Sequence, residues 1–306
     1  MTERDFRELT RRFTEDGRFN LVIEPTVACP SDCAICGRRN MTFPQNRHIQ
    51  REVLDKVMSD LKEGDLVRRI NRVHLAGWGE PLFYPGIFGL IDELSRLGLK
   101  VNTNINGAFL DEKKILSLLN TGIDSISYSL NAPDEHTFDR LMVPGRFAAS
   151  LKNLRFLLEE RARMRSGAQV TIQVVNPWDR DPSPVMNVVE GFLKDERVNM
   201  IFRELENLSG LSALRDYPFR QNSEGLPCSY LWRLVTVDCD GDVYYCCAGS
   251  LLLRRKAALF AGSIMEKSLA DFLDHEKRKY CQDLMESGQI HRIQECSRCN
   301  TPVFLA

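Results

Sequence analysis

The sequence has no apolar run approaching the roughly 20 residues that cross a membrane as a helix, so no membrane is expected among its partners. Its opening residues, Met-Thr-Glu-Arg-Asp-Phe-Arg-Glu, are too charged for a secretory signal and point to the cytoplasm. Excess charge of one sign is also missing. Against 41 basic residues stand 42 acidic ones, a formal charge of −1, and this balance excludes a nucleic-acid binder that works by bulk electrostatics. Length and hydrophobic content are ordinary: 306 residues at 43% suit one large core plus a smaller appendage.

Cysteine, by contrast, is plentiful. Ten cysteines in a chain without an export signal suggest metal ligation rather than a disulfide framework. Three of them lie in Cys29-Pro-Ser-Asp-Cys33-Ala-Ile-Cys36, spaced C-x3-C-x2-C, directly after an apolar, β-branched run. A loop this short can offer three soft thiolates to one compact centre, which favours zinc, copper(I) or an iron–sulfur cluster. Three thiolates on a four-iron cubane leave one iron free to bind a small molecule. A zinc ion would need a fourth ligand nearby, and the only close histidine, His48, lies twelve residues on. A disulfide fits a reducing cytosol poorly.

From residue 21 to about residue 205, strands and amphipathic helices alternate. Strands are expected over Leu21–Val27, Ile70–Ala76, Leu99–Asn104, Asp124–Leu130, Gln169–Val175 and Asn199–Leu205. Helices are expected over Gln50–Leu61, Ile87–Leu97, Asp111–Leu119, Leu151–Arg163 and Pro184–Leu193, each with apolar residues at three- and four-residue intervals. Repeated βα units call for parallel pairing and right-handed crossovers. The fold class is therefore α/β, a partial (β/α)6 TIM-like barrel whose site collects at the C-terminal strand ends. Residues 1–20 read as an N-terminal arm in which Phe6, Leu9 and Phe13 pack at helical spacing. Residues 206–227, rich in Ser, Gly, Asn and Pro, read as a connecting loop that closes over the substrate.

The cysteine spacing resembles the cluster motif of the radical S-adenosylmethionine (SAM) superfamily. The resemblance implies that the open iron chelates the amino and carboxylate groups of SAM, which is cleaved to a 5'-deoxyadenosyl radical. It makes Cys29, Cys33 and Cys36 the cluster ligands and Ile35, standing where the family usually has an aromatic residue, a contact for adenine. Ala76-Gly-Trp-Gly-Glu-Pro81, at the end of the second strand, resembles the family's Gly-Gly-Glu-Pro motif, with Trp78 in place of the first glycine. Gly77, Gly79 and Glu80 would then hold the methionyl ammonium, although glycine and proline also punctuate ordinary turns. Thr103 and Asn104 resemble the family's Thr-Asn-Gly, while Ser129 and Asn131 end the strand that often carries ribose-binding groups. His136 and Arg140 share a helix face that solvation explains equally well.

A second set of cysteines follows. Residues 228–247 read as a β-hairpin turning at Asp240-Gly241, Ser268–Met285 as a helix, and Cys296-Ser-Arg-Cys299 closes the pattern. This arrangement resembles the Twitch domain, the truncated form of the SPASM auxiliary-cluster domain. It would make 228–306 a small β-hairpin/helix iron–sulfur domain with Cys228, Cys246, Cys296 and Cys299 as ligands. A structural zinc site could use the same four cysteines. A full SPASM domain has further cysteines after the C-x2-C pair, so one auxiliary cluster is expected, making two [4Fe-4S] clusters with SAM. Cys239, Cys247 and Cys281 are left over, and Cys247 adjoins ligand Cys246.

The nearest resemblance is to the Twitch enzymes of aminoglycoside biosynthesis, among them an epimerase and an alcohol dehydrogenase. It implies a monomer fed electrons by a flavodoxin- or ferredoxin-type donor, acting on a sugar or cyclitol C–H bond of a small polar substrate. Epimerisation with the Cys247 thiol as hydrogen donor is the leading expectation. Oxidation of a secondary alcohol through the auxiliary cluster is the alternative, and modification of a peptide a further one.

Overall fold

The computed structural model describes residues 17–40, 46–175, 181–203, 228–247, 254–297 and 299, with Glu8 and Arg11. Phe6, Leu9, Phe13 and the 206–227 stretch lie outside the described residues.

Six parallel strands form the body of the molecule: β1 (Phe19–Ile23), β2 (Ile70–Leu75), β3 (Val101–Ile105), β4 (Ser125–Ser129), β5 (Gln169–Val175) and β6 (Val198–Arg203). The longer helices between them are α1 (Arg51–Lys62), α3 (Ile87–Arg96), α4 (Glu112–Leu119) and α6 (Phe147–Arg163). Short helices α2 (Leu66–Arg69), α5 (Glu135–Leu141) and α7 (Ser183–Val189) complete this part. Alternate strand residues such as Leu21, Ile23, Val73, Leu75, Ile126 and Tyr128 are fully buried against Val57, Leu61, Ile91, Leu94, Leu118 and Leu157 of the helices. The opposite strand face carries Glu24, His74, Asn102, Asn104, Ser125 and Gln173, so the inside of the curved sheet is polar while the helix-facing side is the core.

The strand order is β6-β5-β4-β3-β2-β1-β7-β8-β9. β7 (Leu234–Val237), β8 (Asp242–Tyr244) and β9 (Phe260–Ser263) belong to the C-terminal part. β7 pairs in parallel with β1, while β8 and β9 add antiparallel. The hairpin is therefore not a separate sheet; it extends the barrel sheet on its β1 side. The α/β fold, TIM-like with a small antiparallel C-terminal unit, is as the sequence implies.

Several boundaries differ for identifiable reasons. β1 ends at Ile23 rather than Val27, because Pro25 has no N–H to give the ladder. The turn holds three residues, Cys239, Asp240 and Gly241, with Gly241 at φ 82° and Asp238 N–H bonded to Asp242 O at 3.0 Å. Asp238 draws the Asp240 and Asp242 amides onto its carboxylate at 2.9 and 3.0 Å and so caps a longer loop than Asp-Gly alone suggests. The helix expected over Ser268–Met285 is two, α9 (Leu269–Leu273) and α10 (Glu276–Glu286), the first closed by a Ser268–Asp271 capping box. α8 (Tyr230–Arg233) precedes β7. Asp60 on α1, buried beside Lys56, accepts the Leu269 amide at 2.7 Å and fixes α9 to the barrel.

Candidate cluster and substrate site

Cys29, Cys33 and Cys36 lie in the loop that leaves β1. Backbone bonds set its path: Asp32 N–H donates to Val143 O at 2.6 Å, Ala34 N–H to Leu141 O at 2.8 Å, and Cys36 N–H to Cys33 O at 3.0 Å. Beneath it the buried Arg38 donates from Nε to Val27 O at 3.1 Å and from Nη1 to Ser31 O at 3.0 Å. The three thiols are half-buried and unbridged. Burial pushes Cys29 up to about 11 and Cys33 to about 12, and the charges of Cys36 and Cys29 add to the rise at Cys33. Thiols this reluctant to ionise yet this close together suit a metal centre, which takes the proton's place on sulfur.

Cys228, Cys246, Cys296 and Cys299 form the second group, all half-buried and unbridged. Cys296 is driven well above the ordinary thiol value, by burial first and then by Cys246, Cys228 and Cys299. Among the described residues no three His, Cys, Asp or Glu side chains converge tightly enough for one metal ion. A cubane gives each thiolate its own iron and suits a wider set.

The loop after β2 lies against the first group. Glu80 N–H donates to Ala28 O at 2.8 Å. A Cβ on Gly79 would collide with the carbonyl oxygens of Thr26 and Ala28, so only glycine allows this approach. The Glu80 side chain is 3% exposed. Its Oε2 accepts from Asn106 N–H at 2.7 Å and Oε1 from Leu82 N–H at 3.5 Å, and burial raises its pKa to about 8. A buried carboxyl whose described hydrogen bonds come from neutral amides fits an incoming ammonium group.

Sequence reasoning missed Glu24. Its Oε1 accepts the Trp78 amide at 2.6 Å, and the Cys239 amide also bonds to the carboxylate. A Cβ on Gly77 would collide with this carboxylate. Burial raises Glu24 to about 8. The available signal was a lone carboxylate in a strand that is otherwise apolar at its end.

A cavity of about 300 Å³ opens beside these groups, lined by Val22 of β1, Glu24 just beyond it, His74 of β2, Trp78, Asn104 of β3, Thr236 of β7 and Cys247, among others. Of the sequence-derived residues it gathers Gly77, Asn104 and Cys247. Thr103 points to the opposite face, fully buried, with its hydroxyl donating to Leu75 O at 2.9 Å. Ser129 and Asn131 stand further round the sheet beside Gln173, with Asn131 in the left-handed region at φ 60°. Ile35 is half-buried against the edge of the core. His136 and Arg140 are exposed on α5, away from its buried Thr137, Phe138 and Leu141. Cys239 and Cys281 are buried.

The model of the radical SAM superfamily matches residues 23–172, and that of the iron–sulfur cluster-binding SPASM domain matches residues 228–300. The chain carries a radical SAM domain followed by a SPASM/Twitch-type iron–sulfur domain. Among solved structures, the chain is similar to BtrN in complex with AdoMet and 2-DOIA, at a TM-score of 0.60 and 15% identity over 93% of each chain. It is also similar to Streptococcus suis SuiB bound to the precursor peptide SuiA, at 0.64 and 14% over 89% of this chain and 69% of that one. At such identities the likeness is one of fold. An uncharacterized protein of Methanocaldococcus jannaschii, MJ0103, is 28% identical over 156 residues, 47% of this chain and 35% of that protein. The matched segment thus covers about a third of the length of this curated relative, 35%. A radical SAM domain brings SAM and a [4Fe-4S] cluster, and the SPASM-type domain brings auxiliary iron–sulfur. The two thiol groups, the Gly79 approach and the buried Glu80 fit those groups. Among the described residues no helix is long and apolar enough to cross a membrane.

Proposed function

We propose that the protein is a radical SAM epimerase acting on a ring carbon of a small sugar or cyclitol. Cys29, Cys33 and Cys36 would hold the SAM-binding cluster, and Cys228, Cys246, Cys296 and Cys299 the auxiliary one. Bound there, the cluster and SAM supply a 5'-deoxyadenosyl radical able to take hydrogen from an unactivated C–H bond. The residues do the rest. Glu80 receives the methionyl ammonium. Glu24 holds the Trp78 amide, and with it the turn that presents Glu80. Cys247 holds a hydrogen atom at Sγ for the face of the ring opposite the abstraction.

The observation that carries this reading is the position of Cys247. It is an exposed thiol, outside both ligand sets, and it lines the same cavity as Gly77, Trp78 and Asn104. The lining runs from β3 through β2 and β1 to β7 and the segment after β8, so Cys247 and Asn104 enter from different sides. A thiol so placed can donate hydrogen to a radical that the barrel side generates, and the thiyl left at Sγ would return to the thiol by taking one electron from the external reductant and one proton from solvent.

The test is a Cys247→Ala variant, reconstituted anaerobically and reduced with dithionite, with neutral polyols as substrates. It should still form 5'-deoxyadenosine and lose the inverted product, while Cys281→Ala keeps both. A ketone product made equally well by wild type and Cys247→Ala would instead establish an alcohol dehydrogenase.

A further inference from the structure

The inward face of the sheet carries a second set of polar groups in which none of the residues assigned above takes part. Val22 pairs with His74 on β2 and with Thr236 on β7. His74 and Thr236 therefore flank it in one layer, two strand spacings apart, roughly 9–10 Å between backbones. Both line the cavity, one layer below Glu24.

Thr236 is 4% exposed, and its hydroxyl has no hydrogen-bond partner among the described residues. A hydroxyl that lines the cavity without an internal partner is free to pair with a bound molecule. His74 is oriented by a chain of bonds. Arg72 Nη1 donates to Ser125 Oγ at 2.5 Å, and Asn102 Nδ2 donates to the same oxygen at 2.9 Å. That leaves Asn102 Oδ1 facing His74 Nδ1 at 3.1 Å. An amide oxygen can only accept, so Nδ1 carries the proton and Nε2 keeps its lone pair. Burial lowers the His74 pKa to about 4, and the ring stays neutral. Nε2 has no partner among the described residues. The described lining holds no Lys or Arg; its one acidic side chain is Glu24. A phosphate would meet no cationic side chain among these described lining residues.

We propose that His74 and Thr236 form a hydroxyl-binding subsite for an uncharged, polyhydroxylated ring. His74 Nε2 accepts from one ring hydroxyl, and the Thr236 hydroxyl pairs with another. Phosphorylated and nucleotide-linked forms of the ring are rejected. This deepens the reading of the reaction given above and rests on it.

The experiment is calorimetric titration of the full chain, with clusters reconstituted and SAM bound. The probes are myo-inositol and D-glucose, against myo-inositol 1-phosphate and glucose 6-phosphate. Neutral probes should bind at least tenfold more tightly than their phosphates. Thr236→Val, isosteric and removing no internal bond, and His74→Phe should each weaken the neutral probes at least tenfold. Neither should alter SAM affinity or the rate of 5'-deoxyadenosine formation measured without a polyol. Undiminished polyol affinity in both variants, tighter binding of the phosphates, or no polyol binding at all would overturn the subsite. Polyol binding that responds to both variants in a protein unable to cleave SAM would support the subsite and overturn the reaction.

Discussion

Glu24 Oε1 accepts a hydrogen bond from the Trp78 amide at 2.6 Å. The bond ties the strand that leads into Cys29, Cys33 and Cys36 to the turn that presents Glu80. The Cys239 amide bonds to the same carboxylate, so the β7–β8 hairpin is held at this point as well. One buried carboxyl thus joins the strand leading into the Cys29–Cys36 loop, the turn that carries Glu80, and the C-terminal unit.

That carboxyl should make stability depend on pH. Burial places Glu24 at about 8 in the folded chain, against about 4.3 unfolded. Between these values the folded chain holds a proton that the unfolded chain has released, so stability falls as pH rises through the window. Glu24→Gln keeps an oxygen for the Trp78 amide and has no proton to lose. Thermal midpoints of wild type and variant should agree near pH 4 and separate toward pH 8, with the variant higher. A separation that is the same at every pH would contradict the assignment.

Glu80→Gln should weaken SAM binding without disturbing iron. A charge-assisted bond to ammonium is worth about 1.5–3 kcal/mol, equivalent to roughly a ten- to hundredfold rise in Kd. Equilibrium dialysis with labelled SAM measures it, and an unchanged Kd would reduce the Gly-Trp-Gly-Glu stretch to a turn.

Gly79→Ala should be more damaging than its size suggests. The new methyl would strike the carbonyls of Thr26 and Ala28, which are backbone and cannot swing aside. SAM affinity should fall at least tenfold, through displacement of the turn that carries Glu80. Wild-type affinity in this variant would mean that the two loops do not pack as described.

The two thiol groups should be separable. Cys228→Ala with Cys296→Ala should lower iron by about four per chain while dithionite-driven SAM cleavage persists. Replacing Cys29, Cys33 and Cys36 should lower iron similarly and abolish cleavage. Equal loss of cleavage in both sets would contradict the division of labour.

Much of this was legible in the chain because its signals are local. The β5 strand, Gln169–Val175, has the bounds that its β-branched alternation implies. The Asp111 N-cap, accepting from Lys114 N–H at 2.7 Å, starts α4 where the sequence places it. The cysteine spacings needed no fold at all. What escaped depends on register between distant strands. Glu24, His74 and Thr236 lie far apart in the chain, and only the pairing of β1 with β2 and with β7 gathers them around one cavity. A hairpin likewise reads the same whether it stands alone or joins a parallel sheet. Thr103 and Asn104 are neighbours in a strand, and the two-residue repeat sends one to the core and the other to the cavity.

The most direct measurement of the central claim is a turnover in heavy water with a polyol that raises 5'-deoxyadenosine formation. A thiol exchanges its proton with solvent, so hydrogen returned by Cys247 arrives as deuterium. Mass spectrometry and NMR of the product should find one deuterium, at the inverted carbon, and Cys247→Ala should yield none of this product while still cleaving SAM. An oxidised product without solvent deuterium, formed at the same rate by Cys247→Ala, would contradict the account.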